Sequence, residues 1–124
     1  MKEATGKLGV MIVGLGAVST TFIAGVLSAR KGLTKPVGAL TQYDKIRVGT
    51  GEAKRYLSYP EILSLPSLND LEFAAWDVYP DNAFESAVNA DVLRAKDLLP
   101  LQAELEAIRP LHAAFDRHYA QRLD

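Results

Sequence analysis

Near its start the chain changes from one hydrophobic period to another. Residues 8–13 read LGVMIV, an apolar run typical of a strand in the middle of a parallel sheet. Two glycines interrupt it at 14 and 16. From about 18 to 30 the apolar residues recur at helical spacing, and the inward face is expected to hold a set that includes Val18, Phe22, Ile23, Val26 and Leu27. The pattern predicts a strand, a glycine turn and a helix.

Residues 33–69 show no sustained hydrophobic period. Glycine and proline punctuate them repeatedly, and only residues 60–64 suggest a helical turn. The sequence therefore predicts a long irregular insertion between the first helix and the second strand. Segments of this kind are usually functional or covered by a partner.

The pattern becomes regular again after the insertion. Residues 71–76 (LEFAAW) predict a second strand that ends at Asp77, and a capping box at Asn82 predicts a helix to about residue 93. A short helix is expected from Leu99 to about 109, and a single helical turn is expected after residue 116. Strands alternating with helices predict an α/β fold with parallel strands. With only two strands predicted, we expect a sheet truncated before it is complete.

Composition excludes several classes of function. The 124 residues have a net charge of -1, and their 14 basic and 15 acidic side chains are scattered. This argues against a nucleic-acid partner. There is no cysteine, which excludes disulfides and thiolate metal sites and fits a reducing cytosol. The apolar runs are too short for a membrane span and the N-terminus lacks a secretory signal. A cytoplasmic protein without a membrane partner is expected.

The glycine turn is the first candidate site. Between a strand and a helix, Gly14 permits a tight turn and Gly16 lets the backbone approach a pyrophosphate, with helix N–H groups and the helix dipole favouring the anion. Ser19 stands where a third glycine is usual. Its hydroxyl, like that of Thr20, could bond a phosphate oxygen or cap the helix. A glycine turn without a ligand is the alternative, but the strand-turn-helix context favours a nucleotide.

The second candidate is an acidic residue at the end of the next strand, where a carboxylate pairs with the ribose hydroxyls. Asp77 occupies that place, 61 residues after Gly16, whereas the common spacing is about 20. The insertion accounts for the difference. Alternatively, Asp77 only caps the following loop or helix. With no arginine close behind it, the acid disfavours a 2′-phosphate, so the sequence predicts NAD rather than NADP.

Other polar residues are weaker candidates. His112 and His118 are six apart, which is not a metal-ligand spacing, and are interpreted as surface or loop histidines. Tyr43, Lys45 and Arg47 in the insertion could approach a phosphate, but an exposed basic loop is the simpler interpretation. No metal site and no nucleophile–base pair is predicted.

Four segments together resemble one family, the myo-inositol-phosphate synthases, particularly their bacterial branch. They are GLGAVSTTFIAGV (14–26), GALTQYDKIRVG (38–49), LPSLNDLEFAAWDVYPDNAFESA (65–87) and IRPLHAAFD (108–116). The AWDVYPDN phrase after a long insertion is more specific than the glycines alone. Ala75 stands before Trp76 where glycine is frequent, which leaves the ribose acid in place.

The resemblance implies a cytosolic NAD-dependent isomerase that converts glucose 6-phosphate to 1L-myo-inositol 1-phosphate. The family oxidises its substrate at C5, closes a C6 enolate onto the C1 aldehyde and reduces the ring ketone, so the cofactor is recycled. It also implies a homo-oligomer, a tetramer, in the full-length protein. The catalytic lysines and the substrate phosphate site belong to a later domain.

Carried over by position, the resemblance also assigns site residues and a domain. The pyrophosphate loop would be Gly14, Leu15, Gly16, Ala17, Val18, Ser19 and Thr20, and the ribose contact would be Asp77. Residues 1–124 would then be the N-terminal part of a Rossmann-like NAD-binding domain, with 33–69 as its insertion. Two alternatives stay open. One is a stand-alone nucleotide-binding or regulatory module without catalysis, and the other is the cofactor half of a different NAD-dependent dehydrogenase.

Overall fold

Two units make up the structure, a computed structural model that describes residues 6–116 and residue 118. The first unit combines the described residues up to Leu8 with Gly25–Glu72. The second combines Gly9–Ala24 with the described residues from Phe73 onward. The glycine turn and Asp77 both belong to the second unit, so the candidate site can be examined within it.

Five strands and six helices are assigned in the described residues. The strands are β1 (Leu8–Val13), β2 (Lys45–Val48), β3 (Arg55–Ser58), β4 (Leu71–Asp77) and β5 (Leu111–His112). The helices are α1 (Ala17–Arg30), α2 (Leu40–Tyr43), α3 (Tyr59–Leu63), α4 (Ala83–Ala90), α5 (Ala95–Leu98) and α6 (Gln102–Ala107). Short 3-10 turns lie at Gly51–Ala53, Leu68–Asp70 and Leu99–Leu101.

A three-stranded sheet in the order β1-β4-β5 carries the candidate site. β4 and β5 run parallel, with Trp76 opposite Leu111 and Asp77 opposite His112. The strands at 8–13 and 71–77 agree with the predicted positions, and the α/β class with parallel pairing is confirmed. The expectation that the first strand lies in the middle of a sheet was wrong for the described residues, since β1 is at the edge of the sheet. Because β4 ends at Asp77, the carboxylate lies at the carboxyl edge of the sheet, where ligands bind in open α/β folds.

The buried face of α1 agrees with the one expected at Ile23, Val26 and Leu27 and differs from it at Val18 and Phe22. Val18 is 83% exposed and Phe22 46% exposed, whereas Thr20, Ile23 and Leu27 are buried. Apolar residues occur on all sides of this helix, so the helical period alone could not select the buried face. The burial of Thr20 is compatible with its polarity because its hydroxyl donates to the Gly16 carbonyl at 3.0 Å.

The helices after β4 form the core of the second unit. Asn82 is buried and caps α4: its side chain accepts from the N–H groups of Phe84 and Glu85, and the Glu85 carboxylate accepts from the Asn82 N–H. This confirms the capping box. The segments that follow α4 bury Leu98 in α5, Leu101 in the 3-10 turn and Leu105 in α6.

The insertion is not irregular, and that expectation was wrong. β2 and β3 form an antiparallel hairpin with Ile46 opposite Leu57 and Arg47 opposite Tyr56. Gly49 in the connection has a φ of +83°, and a Cβ there would lie 2.5 Å from the Ala53 carbonyl oxygen, so glycine is required. Strands of four residues are too short to produce a sustained alternation, which explains why the hairpin was not predicted.

Smaller differences concern the C-terminal half. The sequence did not predict α5 or β5, and the helix from 82 ends at Ala90, because Asp91 adopts a left-handed conformation with a φ of 50°. The helical turn expected after residue 116 falls on 117–124, of which the structure describes only residue 118.

Two local features stabilise the first unit. The Arg30 guanidinium, in the last turn of α1, donates from Nε to the Leu68 carbonyl at 2.6 Å and from Nη2 to the Leu71 carbonyl. At the start of α3, the Ser58 hydroxyl and backbone N–H both donate to Glu61 Oε2, at 2.5 and 2.6 Å. The pKa of Glu61 is lowered mainly by the bond from the Ser58 hydroxyl, then by the bond from the Ser58 N–H, and least by the nearby charge of Lys45.

None of the described helices has the length and apolarity that crossing a membrane requires.

Candidate functional site

The glycine turn is attached to the end of β4 by its backbone. Gly14 follows β1 and has a φ of +88°, a left-handed conformation that favours glycine. Its N–H donates to the Trp76 carbonyl at 2.8 Å. The next residue, Leu15, is only 2% exposed and anchors the turn in the core. Gly14 is therefore needed by the backbone itself.

Gly16 has a different explanation. Its φ is not positive, and a Cβ added to it would have no heavy atom within 4 Å. Neither backbone strain nor packing within the described residues therefore requires glycine at this position. Close approach of a ligand to the backbone would require it, which is the role of the second glycine in dinucleotide-binding turns.

The start of α1 presents N–H groups on the same exposed side. The helix begins at Ala17, and the first backbone bond at this end runs from the Thr20 N–H to the Gly16 carbonyl at 3.0 Å. No partner within the described residues is observed for the N–H groups of Gly16, Ala17 and Val18. Such groups, with the helix dipole, make an anion-binding end.

The hydroxyl groups near the turn point to the protein itself. Ser19 Oγ donates to the Gly14 carbonyl at 2.6 Å, and Thr20 Oγ1 donates to the Gly16 carbonyl. Each hydroxyl has a single proton, so both are committed to the turn rather than to a phosphate oxygen. Thr20 is also 1% exposed, which places its hydroxyl out of direct reach of a ligand. The sequence allowed a phosphate contact or a helix cap for these hydroxyls, whereas in the structure they donate to backbone carbonyls of the turn.

Asp77 lies directly against the turn. Its Oδ2 accepts a hydrogen bond from the Leu15 N–H at 2.5 Å, and its Oδ1 accepts from the Tyr79 N–H at 3.0 Å. An ionised carboxylate offers about four lone-pair sites, so it retains acceptor capacity for two further donors such as ribose hydroxyls. The 61-residue separation from Gly16 is therefore no obstacle, because the sheet brings the two together.

Of the weaker candidates, His112 lies next to a residue of this site. His112 is exposed on β5 opposite Asp77, and His118 is exposed in the tail. Lys45 and Arg47 lie on β2 in the first unit. Within the described part of the chain, no group of three or more histidine, aspartate or glutamate side chains could hold a metal ion.

Sequence reasoning missed an apolar groove beside the turn. It is open, has a volume of about 420 Å³, and is lined by Ala17, Val18, Thr21, Phe22 and Val92. Phe22 contacts Phe73 edge-on, with ring centroids 5.8 Å apart. The available signal was the i, i+4 pair of large apolar residues Val18 and Phe22, which was assigned to the buried face instead.

The chain was compared with known proteins. The NAD-binding family model described as Myo-inositol-1-phosphate synthase matches residues 8–124. Inositol-3-phosphate synthase 1 of Bacteroides thetaiotaomicron is 49% identical over 125 residues, which cover 100% of this chain and 28% of that protein. Inositol-3-phosphate synthase isozyme 1 of Arabidopsis thaliana is 32% identical, covering 89% of this chain and 24% of that protein.

A solved structure shows the same fold. The inositol-3-phosphate synthase of Caenorhabditis elegans superposes with a TM-score of 0.77 at 23% sequence identity, over 93% of this chain and 25% of that one. The chain thus spans about a quarter of the length of the relatives it matches. Since the matching model is that of an NAD-binding domain, NAD is the cofactor.

Proposed function

The chain belongs to the myo-inositol-1-phosphate synthase family, and on that premise we propose that residues 1–124 are the N-terminal part of the Rossmann-like NAD-binding domain of an inositol-3-phosphate synthase. The whole protein converts D-glucose 6-phosphate to 1L-myo-inositol 1-phosphate, also numbered 1D-myo-inositol 3-phosphate. The single observation that supports the site most strongly is the bond between Asp77 and the Leu15 N–H. It joins Asp77, the proposed ribose contact, to the glycine turn although the two bonded residues are 62 apart in sequence.

The proposed site divides into two parts. The turn from Gly14 to Thr20 receives the pyrophosphate at the N–H groups that begin α1, with Leu15 anchoring the turn from below. Asp77 receives the ribose hydroxyls of the adenosine half and repels a 2′-phosphate by its charge. When bound, NAD supplies reversible hydride acceptance, so the hydride removed from the substrate returns within one turnover.

Partners and location complete the proposal. Glucose 6-phosphate is the substrate of the whole protein only, and the assembly is a homo-oligomer, a tetramer. The activity serves inositol and phospholipid biosynthesis in the cytoplasm, a location that agrees with the absence of cysteine from the 124 residues.

A chimeric synthase tests the proposal. Residues 1–124 replace the equivalent quarter of the Bacteroides thetaiotaomicron relative, which is 49% identical over that length. Incubated with glucose 6-phosphate and NAD, the chimera is expected to form inositol phosphate without net accumulation of NADH. The matched control is the same chimera carrying Asp77→Ala, which should need a higher NAD concentration for half-maximal rate.

Two results would contradict the proposal. One is a folded, oligomeric chimera that binds NAD yet forms no inositol phosphate, which would favour a different NAD-dependent reaction. The other is product formation that does not respond to NAD at all. A calorimetric NAD titration of the same preparation separates the first result from a chimera that has lost the cofactor site.

A further inference from the structure

Two polar side chains act on a single peptide group of the glycine turn. The Ser19 hydroxyl donates to the Gly14 carbonyl at 2.6 Å, and the Leu15 N–H donates to Asp77 Oδ2 at 2.5 Å. The Gly14 carbonyl and the Leu15 N–H belong to the same peptide unit. One hydrogen bond is therefore made at the carbonyl oxygen of this peptide and the other at its N–H group. Hydrogen bonds linked through one peptide group polarise and strengthen one another.

We propose that Ser19 is a positioning residue for the cofactor site, acting through the Gly14–Leu15 peptide on Asp77. Gly14, at a φ of +88°, has more conformational freedom than any residue with a side chain. A peptide next to it needs bonds at both of its ends to keep one orientation. A glycine at 19, as in the usual motif, provides no donor for the carbonyl end. The serine supplies that donor.

The consequence for the cofactor rests on the proposed function. When the Gly14–Leu15 peptide is fixed, the Leu15 N–H holds one oxygen of Asp77, and the Tyr79 N–H holds the other at 3.0 Å. The carboxylate then has one rotamer, with its remaining acceptor sites presented to ribose. The peptide orientation also reserves the N–H groups of Gly16 and Ala17 for the pyrophosphate. Ser19 thus prepares both halves of the site without touching the cofactor.

Hydrogen exchange of the Leu15 amide tests the bond network in the absence of NAD. Ser19→Ala removes only the hydroxyl and is expected to accelerate Leu15 exchange by about two- to tenfold, the range of one lost hydrogen bond. Ser19→Gly should behave likewise and keeps the usual motif residue in case the alanine variant folds poorly. Ser19→Thr retains a hydroxyl and should restore protection. The matched control is Thr21→Ala, which removes a hydroxyl bonded to the Ala17 carbonyl at 2.7 Å and not to the Gly14–Leu15 peptide.

NAD titration of the same variants tests the consequence. Ser19→Ala should raise the NAD dissociation constant by a similar factor, and the effects of Ser19→Ala and Asp77→Asn should combine to less than their product, because they act on one peptide. Unchanged Leu15 exchange in both Ser19→Ala and Ser19→Gly overturns the proposal, as does strict multiplication of the two effects. If the parent chain binds no NAD, the proposed function fails, whereas the exchange measurement still decides the role of Ser19.

Discussion

At the scale of the residue, Asp77 acts as the cap that its position allowed and also makes a bond that the sequence did not predict. It caps its own loop by accepting from Tyr79, and it also holds the glycine turn by accepting from Leu15. In both bonds a backbone N–H group donates to the Asp77 carboxylate. If Asp77 contacts the ribose, as proposed, its negative charge would favour the hydroxyls of NAD over the 2′-phosphate of NADP. Support of the turn and selection of the cofactor are thus expected from one side chain.

Replacing this residue should change both affinity and specificity. Asp77→Ala is expected to weaken NAD binding by about tenfold or more, since bonds to a charged acceptor contribute about 1.5–3 kcal/mol, and to weaken NADP binding much less. Calorimetric titration with the two nucleotides gives the ratio. Asp81→Ala, which removes a nearby carboxylate that has no observed bond to the turn, serves as the control. An unchanged NAD to NADP ratio in Asp77→Ala would leave Asp77 as a cap alone.

At the scale of the element, the sequence predicted what long patterns encode. The strands at 8–13 and 71–77 and the capped helix after Asn82 follow from continuous apolar runs and one capping box. The hairpin β2–β3 could not be predicted, since its strands have only four residues each. Its turn needs glycine at position 49 because any side chain there would clash with the backbone, and the sequence alone does not show that contact. The two-residue strand β5 exists only through its pairing with Trp76 and Asp77.

The same distinction applies to the candidate site. The sequence predicted the glycine turn from its place between a strand and a helix, and it predicted Asp77 at the end of the next strand. The hydrogen-bond partners of Ser19 and of the Leu15 N–H were not predicted, because both bonds depend on three-dimensional proximity. For Asp77 and Leu15 that proximity joins residues 62 apart in sequence. Spacing rules carry no information about such a bond.

Glu61 at the start of α3 provides a pH-dependent test of a local element. Its pKa is lowered mainly by the Ser58 hydroxyl, so Ser58→Ala should raise that pKa toward the usual range, and Lys45→Met should raise it less. A carboxyl NMR titration measures both. Because the folded-state pKa is lowered, the stabilising effect is present above the ordinary glutamate range and is lost as pH falls through the lowered value.

A third variant controls for indirect effects at α3. Thr50 lies in the same hairpin, and its side chain makes no capping bond, so Thr50→Ala should leave the Glu61 titration unchanged. A Ser58→Ala variant that titrates like the parent would show that the bonds from Ser58 do not cause the shift.

At the scale of the whole molecule, the second unit exposes apolar surface near the site. Met11 is 56% exposed and Val13 is 85% exposed on β1, and Val18 follows at the start of α1. Among the described residues β1 has a strand neighbour on one side only, namely β4. A free apolar strand edge is a template for pairing with another chain.

Residues 1–124 studied alone should therefore associate as concentration rises. Val13→Lys places a charge on the β1 edge and is expected to reduce the association measured by sedimentation velocity. Val37→Lys replaces an equally apolar residue, 67% exposed, outside this sheet and should have little effect. Equal association of the parent and Val13→Lys would remove β1 as the contact.

The 124 residues alone should also be marginally stable and inactive as a synthase. Complete domains are stable by only about 5–15 kcal/mol, and each exposed apolar Å² forgoes roughly 25 cal/mol of burial. The proposed site offers a glycine turn and a ribose acid, whereas the isomerisation also needs a base and a phosphate clamp. A thermal melt and a glucose 6-phosphate assay with NAD test the two expectations. A cooperative, monomeric transition would contradict the first and measurable inositol phosphate the second.

The central claim is that the glycine turn and Asp77 bind NAD, and amide chemical-shift mapping during an NAD titration tests it most directly. Excess NAD also favours the folded state, so marginal stability does not prevent the measurement. We predict chemical-shift changes concentrated at Gly14–Thr20 and Asp77. These changes should be lost in Gly16→Val. A Cβ at position 16 would have no protein atom within 4 Å, but the valine side chain would occupy the space proposed for the pyrophosphate. Gly25→Ala, an exposed glycine of α1, should keep the parent pattern. Shifts centred elsewhere, or undiminished binding by a folded Gly16→Val variant, would contradict the account.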